Sequence, residues 1–420
     1  MSEPLYIWAT NRARNPNACQ YYRLDLPMMN FHKMGLGICY QDDGSNDDEA
    51  LRAMLTSDVA ILYSVGGEGA LHQVNTIRDI KANKTADDIL RIPPLVLYDV
   101  DDNTDFVHPM NFTFSYLGIR SYPDAKLLEP GNTLEWEDAD HERRVLWEDK
   151  VTTGNGLQFD IARNLHQMKV RHELIQRCHG ATVSTPALAS YFKEVIGQPN
   201  TYVFPNSVDL SHYEFYDVAR KDPSKIRILW QGSMSHYVDW YPLREAVREI
   251  SQKYKNQITW VIFGEWFDWV HDMIPDEIVE FHPWTHYQAY KLKRGLLNID
   301  INLCPLANNA FNRCKSAIKW YEGSIWNQPE ATLAANTEPY FEIKDGKTGL
   351  LFNSPEEFVQ KLGQLIENKD LRTKISQNAK KWVLENRTPE KTIPALYDFY
   401  TELKDRQKSE LNPRIVLARR

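Results

Sequence analysis

The stretch Ile226-Arg227-Ile228-Leu229-Trp230-Gln231-Gly232-Ser233 is a short apolar run that ends on a glycine and a serine. A run of that length, bounded by turn residues, reads as a strand covered on both faces. Downstream, a helix is expected from about Tyr241 to Tyr254, then the strand Ile258–Phe263 closed by Gly264. The strand Ile299–Leu303, a helix from Lys315 and the strand-like Ala331–Ala334 continue the alternation. Residues 355–406 carry three amphipathic helices, punctuated at 368–370 and 387–389. Upstream, Leu5–Trp8, Asp58–Tyr63, Pro94–Asp99, Ala181–Ser184 and Thr201–Phe204 are strand-like runs separated by helix-length segments. Apolar strands alternating with helices specify an α/β fold with parallel sheets. The expected architecture is two Rossmann-like doubly wound domains facing across a cleft, neither with a G-x-G-x-x-G fingerprint.

The length of 420 residues suits two domains of about 200 residues each. The segment from Asn206 to Lys225 has no strand signal and reads as the linker. The expected division is therefore 1–207, 208–385, and a terminal helix with tail at 386–420 that crosses back to the first domain. Residues 129–149 hold eight acids and two arginines and read as an exposed loop or insertion.

With 42 % hydrophobic and 25 % charged residues, the composition is that of a soluble globular protein. No run of 18 apolar residues occurs, and the N-terminus lacks the basic-then-apolar pattern of a secretory signal. The net charge of -8 is not the basic balance of many nucleic-acid binders, although a local patch can still bind phosphate. Five scattered cysteines without a C-x-x-C pair argue against a disulfide framework or zinc site, and the expected location is a reducing cytoplasm.

Ligands bind at the carboxyl ends of strands in open α/β sheets, so the residues just after strands carry the weight. The strongest local signal is Asn308 to Glu322. A helix starting near Asn312 would put Lys315, Lys319 and Glu322 on one face, at i, i+4 and i+7. Two cations four apart disfavour a helix, and cations at its start oppose the macrodipole. An anion bound by Arg313, Lys315 and Lys319 would reverse that balance, whereas a solvated face with Lys319 paired to Glu322 is the plainer reading. In the first half, Asp99-Val100-Asp101-Asp102 follows a strand and admits a metal, acceptor positioning or base assistance, or a capped turn. Gly66-Gly67-Glu68-Gly69 reads as a tight strand-to-helix turn, since Glu68 opposes a phosphate. Arg12, Arg14 and Arg23 surround the loop after the first strand, as cleft cations or solvated groups. His108 and His166 read as structural histidines.

Pro305-Leu306, Phe311-Asn312, Lys315-Ser316, Lys319, Glu322, Pro329 and Asp345-Gly346-Lys347-Thr348-Gly349 resemble the donor-binding half of retaining GT-B glycosyltransferases of the family 4 (group 1) type. Gly232-Ser233-Met234-Ser235-His236 and Val203-Phe204-Pro205-Asn206-Ser207-Val208-Asp209 extend the resemblance, and the acidic segment at Tyr98–Asp102 is similar to segments of bacteriophage-encoded members. The resemblance implies a nucleotide-sugar donor in the C-terminal domain, with Gly232, Ser233, Gly264, Arg313, Lys315, Ser316 and Lys319 around it. Glu322 matches the last Glu of the Glu-x7-Glu motif, which holds ribose; Cys314 stands where the first Glu would be. The family's Arg and Lys after the first strand of this half are missing, with Ser233 and Asp239 near those places.

Catalysis is expected from Asp101, Asp102 and His236, the acceptor from the N-terminal domain, and no cofactor or divalent metal is expected. The acceptor is a hydroxylated base of phage DNA, a cell-envelope glycan or a small molecule. A glycosyltransferase-like binding protein without turnover is the rival from another class, favoured by Cys314 and opposed by the retained Lys315, Lys319 and Glu322.

Overall fold

The computed structural model describes residues 4–10, 17–42, 47–80, 83–84, 90–107, 113–119, 126–128, 133–137, 143–146, 161–213, 222–267, 269–326 and 328–411. The chain divides into two compact units. Unit one comprises Met1–Asp102, Leu165–Ser207 and Pro389–Arg420, and unit two Asn103–Asn164 and Val208–Thr388.

Unit one is built on six parallel strands: β1 (Leu5–Thr10), β2 (Gly37–Asp42), β3 (Val59–Tyr63), β4 (Leu95–Val100), β5 (Gly180–Val183) and β6 (Thr201–Val203), in the order β6-β5-β4-β3-β1-β2. β3 and β4 are buried along their whole length, as the continuous apolar runs require. β2 did not show such a run. Its Gly37-Ile-Cys-Tyr40 alternates, with Ile38 and Tyr40 exposed, because it pairs on one side only. The helix Pro389–Leu411 contributes Ile393, Leu396, Tyr397, Tyr400 and Leu403 to the core that also contains Leu5, Ile7 and Phe204. Phe31 stacks on Tyr400 at 5.9 Å.

Unit two repeats the plan with β7 (Ile226–Gly232), β8 (Ile258–Gly264), β9 (Val279–Pro283), β10 (Ile301–Cys304), β11 (Ala331–Ala335) and β12 (Leu350–Phe352). All pairings are parallel and the order is β9-β8-β7-β10-β11-β12. In its own sequence order this is 3-2-1-4-5-6, the order that opens a ligand crevice between the first and fourth strands at their carboxyl ends. Stacked indoles of Trp230 and Trp240 sit in its core at 3.9 Å.

Within residues 129–149, read as an exposed loop or an insertion, Thr133–Glu137 pairs antiparallel with Lys126–Leu128 and with Arg143–Leu146. In the segment read as the linker, Val208 is fully buried and its N–H bonds Arg387 O at 2.8 Å, while 214–221 lie outside the described residues. One expectation needs correction: no helix runs from Lys315. Ala310–Arg313 is one short helix and Ile318–Ile325 another, so Lys315 and Lys319 do not share a helix face. Among the described residues, no helix is long and apolar enough to cross a membrane.

Candidate functional site

The turn after β7 and the segment after β10 bound the switch point of unit two. Gly232 ends β7, and a Cβ there would lie 2.8 Å from the His236 ring, so the imidazole packs onto the turn only because position 232 is glycine. Gly264 has φ of 125° and accepts Gly232 O where a side chain would clash at 2.1 Å. These two glycines bring the ends of β7 and β8 together. Ser233 Oγ lies 2.8 Å from Ser235 Oγ in the same turn.

His236 is enclosed on both sides. Its Nδ1 is 2.7 Å from Asp239 Oδ2 and its Nε2 is 3.1 Å from Lys319 Nζ. Burial, aided by the Lys319 cation, lowers the imidazole to about 4 against the pull of Asp239, so the ring is neutral at pH 7. Lys319 also donates to Gln231 O at 2.9 Å. Burial lowers its ammonium to about 8, which leaves it mainly charged at neutral pH; Asp239 opposes the shift and Lys315 adds to it. Lys315 lies between the two short helices with Nζ 4.5 Å from the Phe311 ring centroid. Ser316 is half-buried beside it, and Arg313 is exposed.

Glu322 is 4 % exposed. Tyr213 donates to its Oε1 at 3.2 Å and Tyr290 to its Oε2 at 3.0 Å. The Tyr290 hydroxyl is also 3.0 Å from the Gln231 side chain, whose amide nitrogen is otherwise unpartnered. One phenolic proton serves one acceptor, and the carboxylate is the stronger. Cys314 is buried against the Asn103 amide at 3.6 Å.

In unit one the acids in and just after β4 separate into two kinds. Asp99 is buried and holds the Arg23 guanidinium through both oxygens, at 2.9 and 2.7 Å. Arg23 also donates to Phe204 O and to Asn206. Expected as a cleft or solvated cation, Arg23 is instead an interior tie between β4 and the chain after β6, with no side-chain exposure. Asp101 and Asp102 are half-buried, and with Cys19 they place three ligand atoms within 4.8 Å of one another. Burial and the neighbouring Asp102 push the Asp101 carboxyl up to about 6, against the Cys19 hydrogen bond and the Arg23 cation. Two carboxylates and a thiol could contribute to a cation site, although a hard cation needs several further oxygens.

The Gly66–Gly69 segment is the strand-to-helix turn it reads as, with Gly67 at φ 109° before the helix Glu68–Asp79. His166 is exposed and 3.1 Å from Glu68. Arg12, Arg14 and His108 lie outside the described residues. Sequence reading did not select Tyr213, Gln231, Tyr290 or Cys19 as site residues. Tyr213 fell in the supposed linker, and Tyr290 in a helix that no motif marked.

No protein-family model and no curated protein sequence matches the chain. Solved structures do. The chain is similar to HepE of Anabaena in complex with UDP and glucose, at 10 % identity and a TM-score of 0.55, covering 95 % of this chain and 100 % of that one. It is similar to the sucrose-phosphate synthase of Thermosynechococcus elongatus at 9 % identity and a TM-score of 0.57, covering 95 % and 99 %. An alpha-glucosyltransferase in complex with UDP-glucose and DNA containing an abasic site matches at 12 % identity and a TM-score of 0.55, covering 95 % and 100 %. The fold is that of the GT-B glycosyltransferases.

Proposed function

We propose that the protein is a retaining GT-B glycosyltransferase that takes its sugar from a nucleotide sugar bound by unit two. The observation that carries this reading is the cation Lys319, set at the switch point of a 3-2-1-4-5-6 sheet and bonded to two neutral acceptors, Gln231 O and His236 Nε2. An ammonium so placed keeps its charge for an anion, and Lys315 supplies a second. The diphosphate of the donor fits that pair, with the turn at Gly232–Ser233 against it, while the carboxylate of Glu322 is the group for the ribose diol. Neighbours in complex with UDP, UDP-glucose or glucose support the donor class.

Transfer breaks the bond from the anomeric carbon to the diphosphate oxygen, which leaves with the electron pair. The acceptor oxygen bonds the same carbon on the same face, and its proton passes to the departing phosphate. Asp101, pushed up toward 6, stays mostly ionised at pH 7, as a base must. Lys315 and Lys319 stabilise the charge that develops on the leaving group, a role typically worth several kcal/mol in such sites. The reading requires no divalent metal.

A thermal-shift panel of UDP, GDP, ADP, CMP and dTDP, with and without Mg²⁺, tests the donor assignment. A ligand at a hundred times its dissociation constant adds about 2.7 kcal/mol, a readily visible shift. One diphosphate should stabilise the protein without metal; silence from all of them removes the donor site and leaves the reading of a binding protein without turnover. NMR of the product's anomeric configuration tests retention.

For the acceptor, the similarity to an enzyme in complex with DNA favours a hydroxylated base of phage DNA over a cell-envelope glycan or small molecule. Binding to duplex DNA would then weaken steeply with salt, since phosphate contacts release counterions. Affinity for DNA that is flat in salt, or absent, selects the other acceptors.

A further inference from the structure

We propose that Asp239 and His236 form a positioning pair that holds Lys319 toward the donor diphosphate, with His236 fixed as the tautomer that carries its proton on Nδ1. The proposal rests on the reading of unit two as the donor-binding half and names the groups that make its cation usable.

Asp239 is 3 % exposed and its two oxygens have separate duties. Oδ1 accepts from Ala307 N at 2.9 Å and from Asn312 Nδ2 at 2.6 Å. Oδ2 faces His236 Nδ1 at 2.7 Å. An ionised carboxylate only accepts, so the proton of this bond sits on Nδ1, and Nε2 presents a lone pair. Lys319 Nζ is 3.1 Å from that lone pair and 2.9 Å from Gln231 O. An ammonium has three N–H groups. Two of them are held by neutral acceptors from β7 and its turn, which fixes the direction of the third. Asp239 stands one imidazole away from the ammonium, so it orients the cation without meeting it in a direct ion pair. The packing of the ring on Gly232 supports a built arrangement, because any larger residue at 232 would displace the imidazole.

The pair makes a sharp prediction for Asp239→Asn. Ala307 N–H and the Asn312 amide both require an oxygen at the Oδ1 position, so the new side chain must turn its NH₂ toward His236. Nδ1 then has to accept, the proton moves to Nε2, and an N–H points at the Lys319 ammonium. The cation loses its support although the shape of the site is nearly unchanged.

The test uses the full chain and the diphosphate among UDP, GDP, ADP and dTDP that binds wild type best, with its own nucleoside as control. Asp239→Asn should weaken the diphosphate by about 10- to 100-fold, the size typical of partners that orient a binding group from behind, and leave the nucleoside within about twofold. In a His236→Gln background, which has no tautomer to fix, adding Asp239→Asn should cost nothing more. Equal losses in both backgrounds, or equal losses of diphosphate and nucleoside, would mean that Asp239 merely braces Ala307 and Asn312, and the pair is overturned. Lys319→Ala separates the two levels. If it leaves diphosphate affinity unchanged, the donor reading itself fails; if it lowers affinity while Asp239→Asn does not, the pair alone fails. ¹⁵N NMR of wild-type His236 gives a check that needs no variant: a protonated Nδ1 is expected, and a protonated Nε2 contradicts the proposal.

Discussion

β4 in unit one and β7 in unit two are each the third strand from an edge of a six-stranded parallel sheet, and the chemistry at their carboxyl ends is opposite. β4 carries Asp99 and is followed by Asp101 and Asp102, and the arginine nearby, Arg23, is consumed by Asp99 in the interior. After β7 comes a neutral turn, and the cation beside it, Lys319, is bonded among the described residues only to neutral partners. A buried cation bonded to a carboxylate is a structural tie, whose removal leaves an uncompensated charge. A cation bonded to a carbonyl and an imidazole retains its charge for a ligand. The contrast supports the proposal of an anionic donor at unit two, with the acids Asp101 and Asp102 in unit one.

The largest effect that would break this contrast is at Lys319. Lys319→Ala should lower transfer by about 10²- to 10³-fold, the range for losing one preorganised group on a developing negative charge, and should weaken the diphosphate in parallel. Steady-state kinetics with titration calorimetry checks it. Asp101→Asn should act on the other side of the comparison. Turnover with saturating donor is expected to fall by roughly 100-fold if the acid assists the acceptor proton, with donor affinity held within about twofold. A loss of donor affinity at Asp101 would erase the division of labour.

The pH response sharpens the same point. Because Lys319 is charged below about 8 and neutral above it, kcat/KM for the donor should fall by about tenfold per pH unit above that value. Lys319→Arg keeps its charge and should abolish this alkaline limb; a limb that persists in the variant belongs to another group. A smaller effect concerns stability. Burial lowers both His236 and His179 to about 4, whereas an unfolded histidine titrates near 6.5. Between those values the unfolded chain binds more protons, so stability is present above about 6.5 and declines as pH falls toward 4. Urea unfolding at pH 7 and pH 5 should show the decline, with a lesser one in His236→Gln. A midpoint independent of pH would contradict the buried neutral state.

What the sequence disclosed and what it concealed divide along the same physical line. Central strands such as β3, β4, β7 and β8 are buried on both faces and announce themselves as unbroken apolar runs. The edge strands β2, β9 and β12 went unread, since one open side relaxes the pattern: β2 alternates, β9 is Val-Glu-Phe-His-Pro, and β12 has three residues. Among the site residues, the clash of Lys315 and Lys319 with helix physics was visible, and the chain resolves it with a break at 314–317 that no propensity required. Asp239 looked like an absence, the place of a missing cation. Its role emerges only when Ala307, Asn312 and His236 are seen to converge on it across the sequence. Arg23 misled for the converse reason: its partner Asp99 lies 76 positions away, and a loop arginine shows nothing of such a tie.

The most direct measurement is a crystal structure with the diphosphate that the thermal-shift panel selects. The phosphates should lie within hydrogen-bond distance of Lys319 Nζ and beside the Gly232–Ser233 turn of unit two, without a metal. Phosphates held instead at Asp101 and Asp102 of unit one through a divalent cation would contradict the account.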